Sequence, residues 1–257
     1  MQKNTQFLVY NQLKFLIFVN TLKLTHMQDT TQFTINQKFD FLTDLTSMVV
    51  NDITPSLIVT GEGGLGKTHS VKSTIDQNNL ESNEYVFFKG YSTARGLYNT
   101  LFDNNGKLIV FDDCDSVLED KVALNILKSA LDSYETREIS WMAKMNKSDI
   151  YPNQFNFTGR IIFISNKNKD KIDEAVLSRS LTVDLSMKPS EKIERMEFIL
   201  EDILPEYTME VKKDALDFLT INKDNCQLNM RTLIMISKMR STFPDTWTNL
   251  ANFMIKS

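Results

Sequence analysis

The sequence predicts an α/β fold in which helices cover both faces of a parallel sheet, a three-layer α/β/α arrangement, with a small C-terminal helical lid. Short β-branched and aromatic runs alternate with helical spacing from residue 56 to residue 185, which is the pattern of a covered parallel sheet. After Pro189 only helical spacing remains. The 257 residues are 42% hydrophobic and 24% charged, which is typical of a folded globular protein.

Five segments have the composition expected of short buried strands. The first, SLIVT, ends directly before a glycine-rich stretch, and the second, YVFFK, ends before Gly90. The third, KLIVF, ends before a pair of aspartates. We therefore predict strands at residues 56–60, 85–89, 107–111, 161–165 and 181–185.

Three helices are predicted between these strands. Val71 and Ile75 are four residues apart and indicate a helix that begins at Lys67, because residues at this spacing share one helix face. Ser92 or Thr93 is a suitable N-cap for a second helix, which runs to residue 102. The third occupies residues 118–132, with one apolar face formed by Val122, Ile126, Leu127 and Leu131.

The segment after Pro189 predicts four lid helices, at residues 190–204, 208–220, 229–241 and 246–256. An apolar stripe marks the first of them and is formed by Ile193, Met196, Leu200 and Ile203. The chain therefore divides into an N-terminal extension (residues 1–40), a core (41–188) and a lid (189–257).

The N-terminal 26 residues are expected to be poorly ordered, or to be translated upstream of a start at Met27. Polar residues interrupt the apolar stretch 7–24, which makes it too polar to cross a membrane. We therefore expect no membrane association, and a location in the cytoplasm, or in the host cytoplasm for a viral protein.

Charge and cysteine content exclude several other classes of protein. The net charge is −4, so no overall basic field indicates nucleic-acid binding, although a local basic patch remains compatible with it. Cys114 and Cys226 are far apart in the sequence, which is neither a disulfide framework nor a zinc pattern.

The strongest functional signal is a glycine-rich stretch between the first strand and the first helix of the core. It matches the P-loop pattern in full and consists of Gly61, Glu62, Gly63, Gly64, Leu65, Gly66, Lys67 and Thr68. Its backbone N–H groups are expected to surround phosphate oxygens, Lys67 to contact the β- and γ-phosphates, and Thr68 to bind Mg²⁺. The stretch therefore predicts ATP and Mg²⁺ as cofactors.

The same glycines also satisfy G-x-G-x-x-G, the pattern of a dinucleotide site. That site requires an acidic residue at the end of the second strand, to hold a ribose. The second strand instead ends in Phe88-Lys89-Gly90, and a dinucleotide site would leave Lys67 and Thr68 unexplained. The P-loop interpretation is therefore preferred.

Two aspartates follow the third strand and complete the predicted site. The apolar run before them would bring Asp112 to the carboxyl edge of the sheet, beside the P-loop, where it would bind Mg²⁺. Asp113 is placed to orient or deprotonate an attacking water. A solvated acidic turn is the alternative, since Asp115 follows.

These motifs resemble the additional-strand P-loop ATPases of the AAA+ class, over about residues 40–241. The resemblance implies a further strand between the P-loop strand and the acidic strand, and IIFIS with Asn166 matches it as sensor 1. Arg179, in Leu-Ser-Arg-Ser, is similar to the arginine finger of clamp loaders, which reaches the nucleotide of a neighbouring subunit. Arg231 resembles the sensor 2 arginine of the lid. Alternatively, Arg179 pairs with a local acid such as Asp184, and Arg231 lies on the surface.

One residue departs from the AAA+ pattern. Asp113 stands where these proteins usually carry glutamate, and its shorter side chain would position water differently and slow turnover. Superfamily 3 helicases, which are related, use paired aspartates and a sensor asparagine, but they usually lack a lid with a sensor 2 arginine. They are therefore the second choice.

Two segments are candidates for contact with a substrate. Tyr91 follows the second strand, where ring ATPases line their pore, and would grip a chain or stack on a base; alternatively it packs on the sheet edge. Residues 137–141 and 155–157 are expected to pair as a hairpin with Lys144 and Lys147 near its tip. Such a hairpin would resemble those of AAA+ proteins that engage DNA, and an ordinary surface insertion is the alternative.

Together these features predict a Mg²⁺-dependent AAA+ ATPase that forms a ring or partial ring of identical subunits. Its expected role is to remodel a protein or DNA–protein partner, in a phage or mobile-element replication setting suggested by its short, Asn- and Lys-rich sequence. The alternatives are a superfamily 3-like DNA helicase and a slow-cycling, nucleotide-gated loader or clamp component.

Overall fold

The computed structural model describes residues 33–132, 136–142 and 150–256. The part from Thr34 onward forms one compact unit. Within these described ranges, no helix is long and apolar enough to cross a membrane. Residues 1–26, which were predicted to be poorly ordered or translated upstream of the start, lie outside the described residues. The same is true of the hairpin tip with Lys144 and Lys147.

A sheet of five strands forms the centre of the structure, and all of its neighbouring strands are parallel. The strands are β1 (Ser56–Thr60), β2 (Tyr85–Lys89), β3 (Leu108–Asp112), β6 (Arg160–Ile164) and β7 (Leu181–Asp184). Their order is β2-β3-β6-β1-β7. Strand β6 therefore lies between the P-loop strand and the acidic strand, and this confirms the predicted additional strand.

Helices cover both faces of this sheet. In the core they are α1 (Ile35–Val50), α2 (Lys67–Gln77), α3 (Ala94–Asp103), α4 (Lys121–Ala130) and α5 (Glu174–Leu177). Along β1, Leu57 and Val59 belong to the apolar cluster of α1 and α2, whereas Ile58 belongs to the cluster of α3 and α4. This alternation buries both faces of the strand and confirms the three-layer α/β/α fold.

Helix α1 was not among the predicted elements. Thr34 forms a capping box with Gln37 at its start, which satisfies backbone N–H groups that a helix start leaves free. Phe39 and Leu42 of this helix are buried in the core. The predicted boundary between extension and core, at residue 40, therefore falls inside a helix.

The predicted helix at residues 118–132 begins later than expected. Asp120 accepts hydrogen bonds from the backbone N–H groups of Val122 and Ala123 and so caps α4 at Lys121. The preceding residues, Asp115–Leu118, form a 3₁₀ helix. Val122 is 53% exposed, so its assignment to the buried face was wrong, and Ala123 is buried there instead.

The lid contains α6 (Pro189–Phe198), α7 (Met209–Ile221), α8 (Met230–Thr242) and α9 (Trp247–Lys256). Helix α6 ends six residues earlier than predicted, at Phe198. The chain then turns at Leu204, which has a φ of 50°, before Pro205. The buried ammonium of Lys212 donates to the carbonyls of Glu201 and Ile203 in this turn. These acceptors stabilise the non-helical turn.

The predicted hairpin is confirmed. Strands β4 (Glu138–Ser140) and β5 (Gln154–Asn156) pair antiparallel. Trp141 follows β4 and is partly buried, with its ring centroid 5.7 Å from that of Tyr98 on α3. The hairpin base is therefore attached to the core by aromatic packing.

The observed buried face of α4 can be tested by stability measurements. Leu127→Ala removes a fully buried side chain, so we expect a loss of about 2–5 kcal/mol in the free energy of unfolding. Val122→Ala, on the exposed side of the same helix, should change it by less than about 0.5 kcal/mol. Urea unfolding followed by circular dichroism measures both; equal losses would contradict the observed orientation of the helix.

Candidate functional site

The P-loop connects β1 to α2, and two of its glycines show why glycine is needed there. Gly61 has a φ of 130°, and a Cβ at this position would lie 2.8 Å from the carbonyl carbon of Leu185. Gly66 has a φ of 96° directly before α2. Side chains at either residue would be strained or would clash. The loop therefore has an open backbone at the start of a helix, where unpaired N–H groups favour anions.

Lys67 lies at the centre of this loop and is 95% buried, with 5% of its surface exposed. Its ammonium donates to the carbonyl oxygens of Gly61 (2.6 Å) and Glu62 (2.7 Å) and to Oδ1 of Asn166 (2.9 Å). Burial lowers the pKa of Lys67 to about 8, although nearby carboxylates, Asp113 first among them, favour the charged form. A phosphate group would supply the anionic partner that this buried cation lacks.

Asp112 ends β3 and is buried at the carboxyl edge of the sheet. Its Oδ1 accepts a hydrogen bond of 3.0 Å from the Thr68 hydroxyl, and its Oδ2 lies 2.9 Å from the Lys89 ammonium. The hydrogen bond to Asp112 raises the pKa of Lys89. The structure thus brings together Thr68 and Asp112, the two residues predicted to bind Mg²⁺.

Asp113 is held in an unusual backbone conformation. Its φ is 57°, a left-handed value that aspartate tolerates better than most residues. Its N–H donates to the carbonyl of Ile164 (3.1 Å), and its Oδ1 accepts a 2.5 Å hydrogen bond from the Asn166 amide. Asn166 therefore contacts both Asp113 and Lys67, at the end of the additional strand.

These side chains line a cavity of about 200 Å³ beside the P-loop. The predicted site residues that line it are Gly63, Gly64, Gly66, Lys67, Thr68, Asp112, Asp113, Asn166 and Arg231. Arg231 comes from the lid, because the start of α8 is attached to the P-loop by a 2.8 Å hydrogen bond from Met230 N–H to the Gly64 carbonyl. The lid thus contributes directly to the same cavity as the core.

Arg179 lies at the other edge of the sheet. Its carbonyl accepts a 3.2 Å hydrogen bond from Ser56 at the amino end of β1, whereas the P-loop follows the carboxyl end. Its guanidinium donates to the Ala175 carbonyl and lies 4.0 Å from Asp132. Asp184, the partner considered for Arg179, instead accepts hydrogen bonds from Thr60 and Ser186. The structure therefore does not bring Arg179 to its own chain's cavity.

Two solved structures align with most of this chain and have a similar fold. A RuvB mutant of Thermotoga maritima aligns with a TM-score of 0.53 and 13% identity, over 84% of this chain and 68% of RuvB. NtrX of Brucella abortus in complex with ADP aligns with a TM-score of 0.52 and 12% identity, over 91% of this chain and 54% of NtrX. The fold is that of the AAA+ P-loop NTPases.

Comparison of sequences finds a relative in a bacteriophage. An uncharacterized 36.7 kDa protein of Enterobacteria phage T4, from the nrdC–mobD intergenic region, is 28% identical over 84% of this chain and 73% of its own length. No protein-family profile matches the chain.

Sequence reasoning missed Lys89 as a site residue. Lys89 is opposite Asp112 in the β2–β3 register, and its ammonium also lies 3.7 Å from Asp113. The sequence signal that could have identified Lys89 is its position as the charged last residue of β2, whose other residues are apolar or aromatic. It could be interpreted only once β2 was known to neighbour β3.

Tyr91 is 83% exposed. The alternative in which it packs on the sheet edge was therefore wrong. Gly90, directly before it, has a φ of 98° and no atom within 4 Å of where a Cβ would be. The segment after β2 consequently presents an aromatic ring to solvent.

The residues at the cavity fit a magnesium ion in chemical type. Thr68 and Asp112 offer hard oxygen ligands 3.0 Å apart, and Mg²⁺ at nucleotide sites takes few protein ligands beside phosphate oxygens and water. Among the described residues, no group of three or more His, Cys, Asp or Glu side chains could hold a metal. Any magnesium bound here would therefore take its remaining ligands from phosphate oxygens and water.

Burial of Lys67 predicts how anion binding depends on pH. The pKa of Lys67 is lowered to about 8, and a bound phosphate chain would raise it by favouring the charged form. Binding is then coupled to proton uptake, so affinity should fall as the pH rises through 8. We expect the Kd for ADP with Mg²⁺ to increase about tenfold between pH 7 and pH 9, as measured by calorimetry.

The control for this experiment is Lys67→Arg. A guanidinium remains charged over this range, so the affinity of the variant, whatever its absolute value, should not change with pH. A wild-type affinity that stays constant up to pH 9 would contradict the lowered pKa.

Proposed function

We propose that this protein is a Mg²⁺-dependent ATPase of the AAA+ class that works as a ring or partial ring of identical subunits. The observation that carries the proposal is the convergence of Lys67, Asp112, Asp113 and Asn166 on one cavity at the start of a helix. The ADP complex of NtrX, which has the same fold, supports nucleotide binding. The lid residue Arg231 favours this class over superfamily 3 helicases.

Hydrolysis transfers the γ-phosphoryl group to water and produces ADP and inorganic phosphate. Lys67 would neutralise charge on the phosphates, and Mg²⁺, when bound through Thr68 and Asp112, would supply further charge neutralisation. Asp113 would accept the proton of the attacking water. Asn166 contacts Asp113 and Lys67, and we propose that its amide would hold that water against the γ-phosphate.

Oligomerisation is proposed because Arg179 does not reach its own site. Ser56, beside Arg179, and Thr60, beside the P-loop, are at opposite ends of β1, which separates them by roughly 13 Å. An arginine at the amino edge would instead be available to the nucleotide of an adjacent subunit. There it would stabilise the charge of the transition state.

The remodelled partner is proposed to be a protein or a DNA–protein complex in a phage-infected cell. The phage T4 relative supports this setting and a location in the host cytoplasm. The exposed Tyr91 and the β4–β5 hairpin are the surfaces we expect to contact the partner. We also propose a division of the chain into an N-terminal extension, a core that includes α1, and a helical lid.

Two variants separate binding from chemistry. Lys67→Ala should weaken ATP binding about 10²-fold, because a charge-assisted contact is worth roughly 3 kcal/mol. Asp113→Asn keeps the size of the side chain and the acceptor for Asn166, so we expect unchanged binding and turnover reduced about 10²–10⁴-fold. Nucleotide titration and a phosphate-release assay measure the two effects; full activity of Lys67→Ala would refute the proposal.

Mixing of two inactive variants tests whether Arg179 acts between subunits. Arg179→Ala should bind ATP normally, and its hydrolysis rate should fall about 10³-fold or more. Asp113→Asn is expected to be inactive because it cannot accept the proton of the attacking water. In mixed assemblies, some sites combine an intact Asp113 with an intact neighbouring Arg179, so the mixture should recover activity. No recovery, in assemblies shown to contain both variants, would indicate that Arg179 does not act between subunits.

A further inference from the structure

A second cavity lies on the lid side of the P-loop. Its volume is about 460 Å³, larger than the cavity of about 200 Å³ that holds the predicted catalytic residues. Gly63 and Arg231 line both cavities. The two spaces are therefore neighbours, with the P-loop backbone and the Arg231 side chain at their boundary.

Basic side chains dominate the charge of this second cavity. Lys192, Lys223 and Arg231 line it, and Glu62 is the one acidic residue among its described lining residues. Lys192 forms an ion pair with Glu62, which leaves Lys223 and Arg231 as uncompensated charges. Neither of these two exposed side chains makes a hydrogen bond or ion pair within the described part of the chain. The cavity therefore carries a net positive charge that this part of the chain does not neutralise.

The starts of two lid helices reinforce this charge. Pro189 is the first residue of α6, and Asn229 is the N-cap of α8, and both line the cavity. Helix starts carry partial positive charge from their backbone dipoles. None of the described lining residues is aromatic, so the cavity offers no ring on which a base could stack. A small anion fits these features better than a nucleoside or a nucleic-acid strand.

We propose that this second cavity binds inorganic phosphate. The inference rests on the proposed function, because hydrolysis beside Arg231 would release phosphate at the boundary of the two cavities. Lys223 and Arg231 hold the released anion, and Lys192 is occupied by Glu62. The cavity thereby receives the product from the catalytic site before it reaches solvent.

Phosphate titration of a variant without a functional P-loop tests the site apart from hydrolysis. Lys67→Ala removes the central cation of the P-loop, so the P-loop of this variant should bind phosphate much more weakly, and loss of binding on a further change at Lys223 assigns the remaining phosphate to the second cavity. We expect one site of about millimolar affinity, detected by ³¹P NMR at constant ionic strength. Adding Lys223→Gln should weaken it at least about fivefold.

The matched control is Lys213→Gln in the same Lys67→Ala background. Lys213 is an exposed lid lysine on α7, outside the lining of the cavity, and its loss removes the same charge. Its effect on phosphate affinity should stay within about twofold. Absence of phosphate binding by Lys67→Ala, or equal weakening by Lys223→Gln and Lys213→Gln, would overturn the proposal.

A second measurement covers the case in which Lys67→Ala does not fold, as judged by circular dichroism. Phosphate is then titrated into wild-type protein and into Lys223→Gln, both saturated with ADP and Mg²⁺. The same fivefold difference is expected, and equal affinities would reject the site. If the wild-type protein binds no nucleotide, the proposed ATPase function fails, while phosphate binding that depends on Lys223 still supports the cavity.

Discussion

The buried ammonium of Lys67 is the interaction on which the site depends. Transfer of a charge into the protein interior is costly unless hydrogen bonds and opposite charges compensate it. Here the compensation comes from P-loop carbonyls and from Asn166, whose amide also binds Asp113. One ammonium therefore connects the phosphate loop, the additional strand and the acidic strand. Burial still lowers the pKa of Lys67, because these contacts compensate the loss of hydration of the ammonium only in part.

Sheet order makes these connections possible. Parallel strands β3, β6 and β1 are adjacent, so the residues that follow each of them meet at the carboxyl edge. This is the edge at which open α/β sheets generally bind ligands. The lid joins the same edge through the hydrogen bond of Met230 to Gly64 and the ion pair of Lys192 with Glu62. Movement of the lid would therefore be transmitted to the P-loop backbone directly.

Much of the core and of the candidate site could be predicted because its signals are local. The P-loop follows a strand and starts a helix, and the five strands lie within one residue of their predicted positions. Errors arose where a local pattern competed with a cap or a turn. Asp120 caps α4 at Lys121, three residues later than predicted, and Ala123 rather than Val122 lies on the buried face of this helix. Helix α6 ends at Phe198, and the turn at Leu204 lies within the segment predicted to be helical. Helix α1 was missed although its signals are local, since Thr34 and Gln37 form a capping box and Ile35, Phe39 and Leu42 have helical spacing.

The sequence by itself determined the residues that can form a phosphate cradle, since glycine conformations, strand composition and the paired acids are properties of short segments. Only the tertiary structure decided which distant side chains share that cradle. It placed Lys89 against Asp112 and brought Arg231 to the P-loop, and it left Arg179 at the opposite edge. The physical reason is that proximity across a sheet depends on strand order and on packing of the lid, which arise from contacts between segments far apart in the chain.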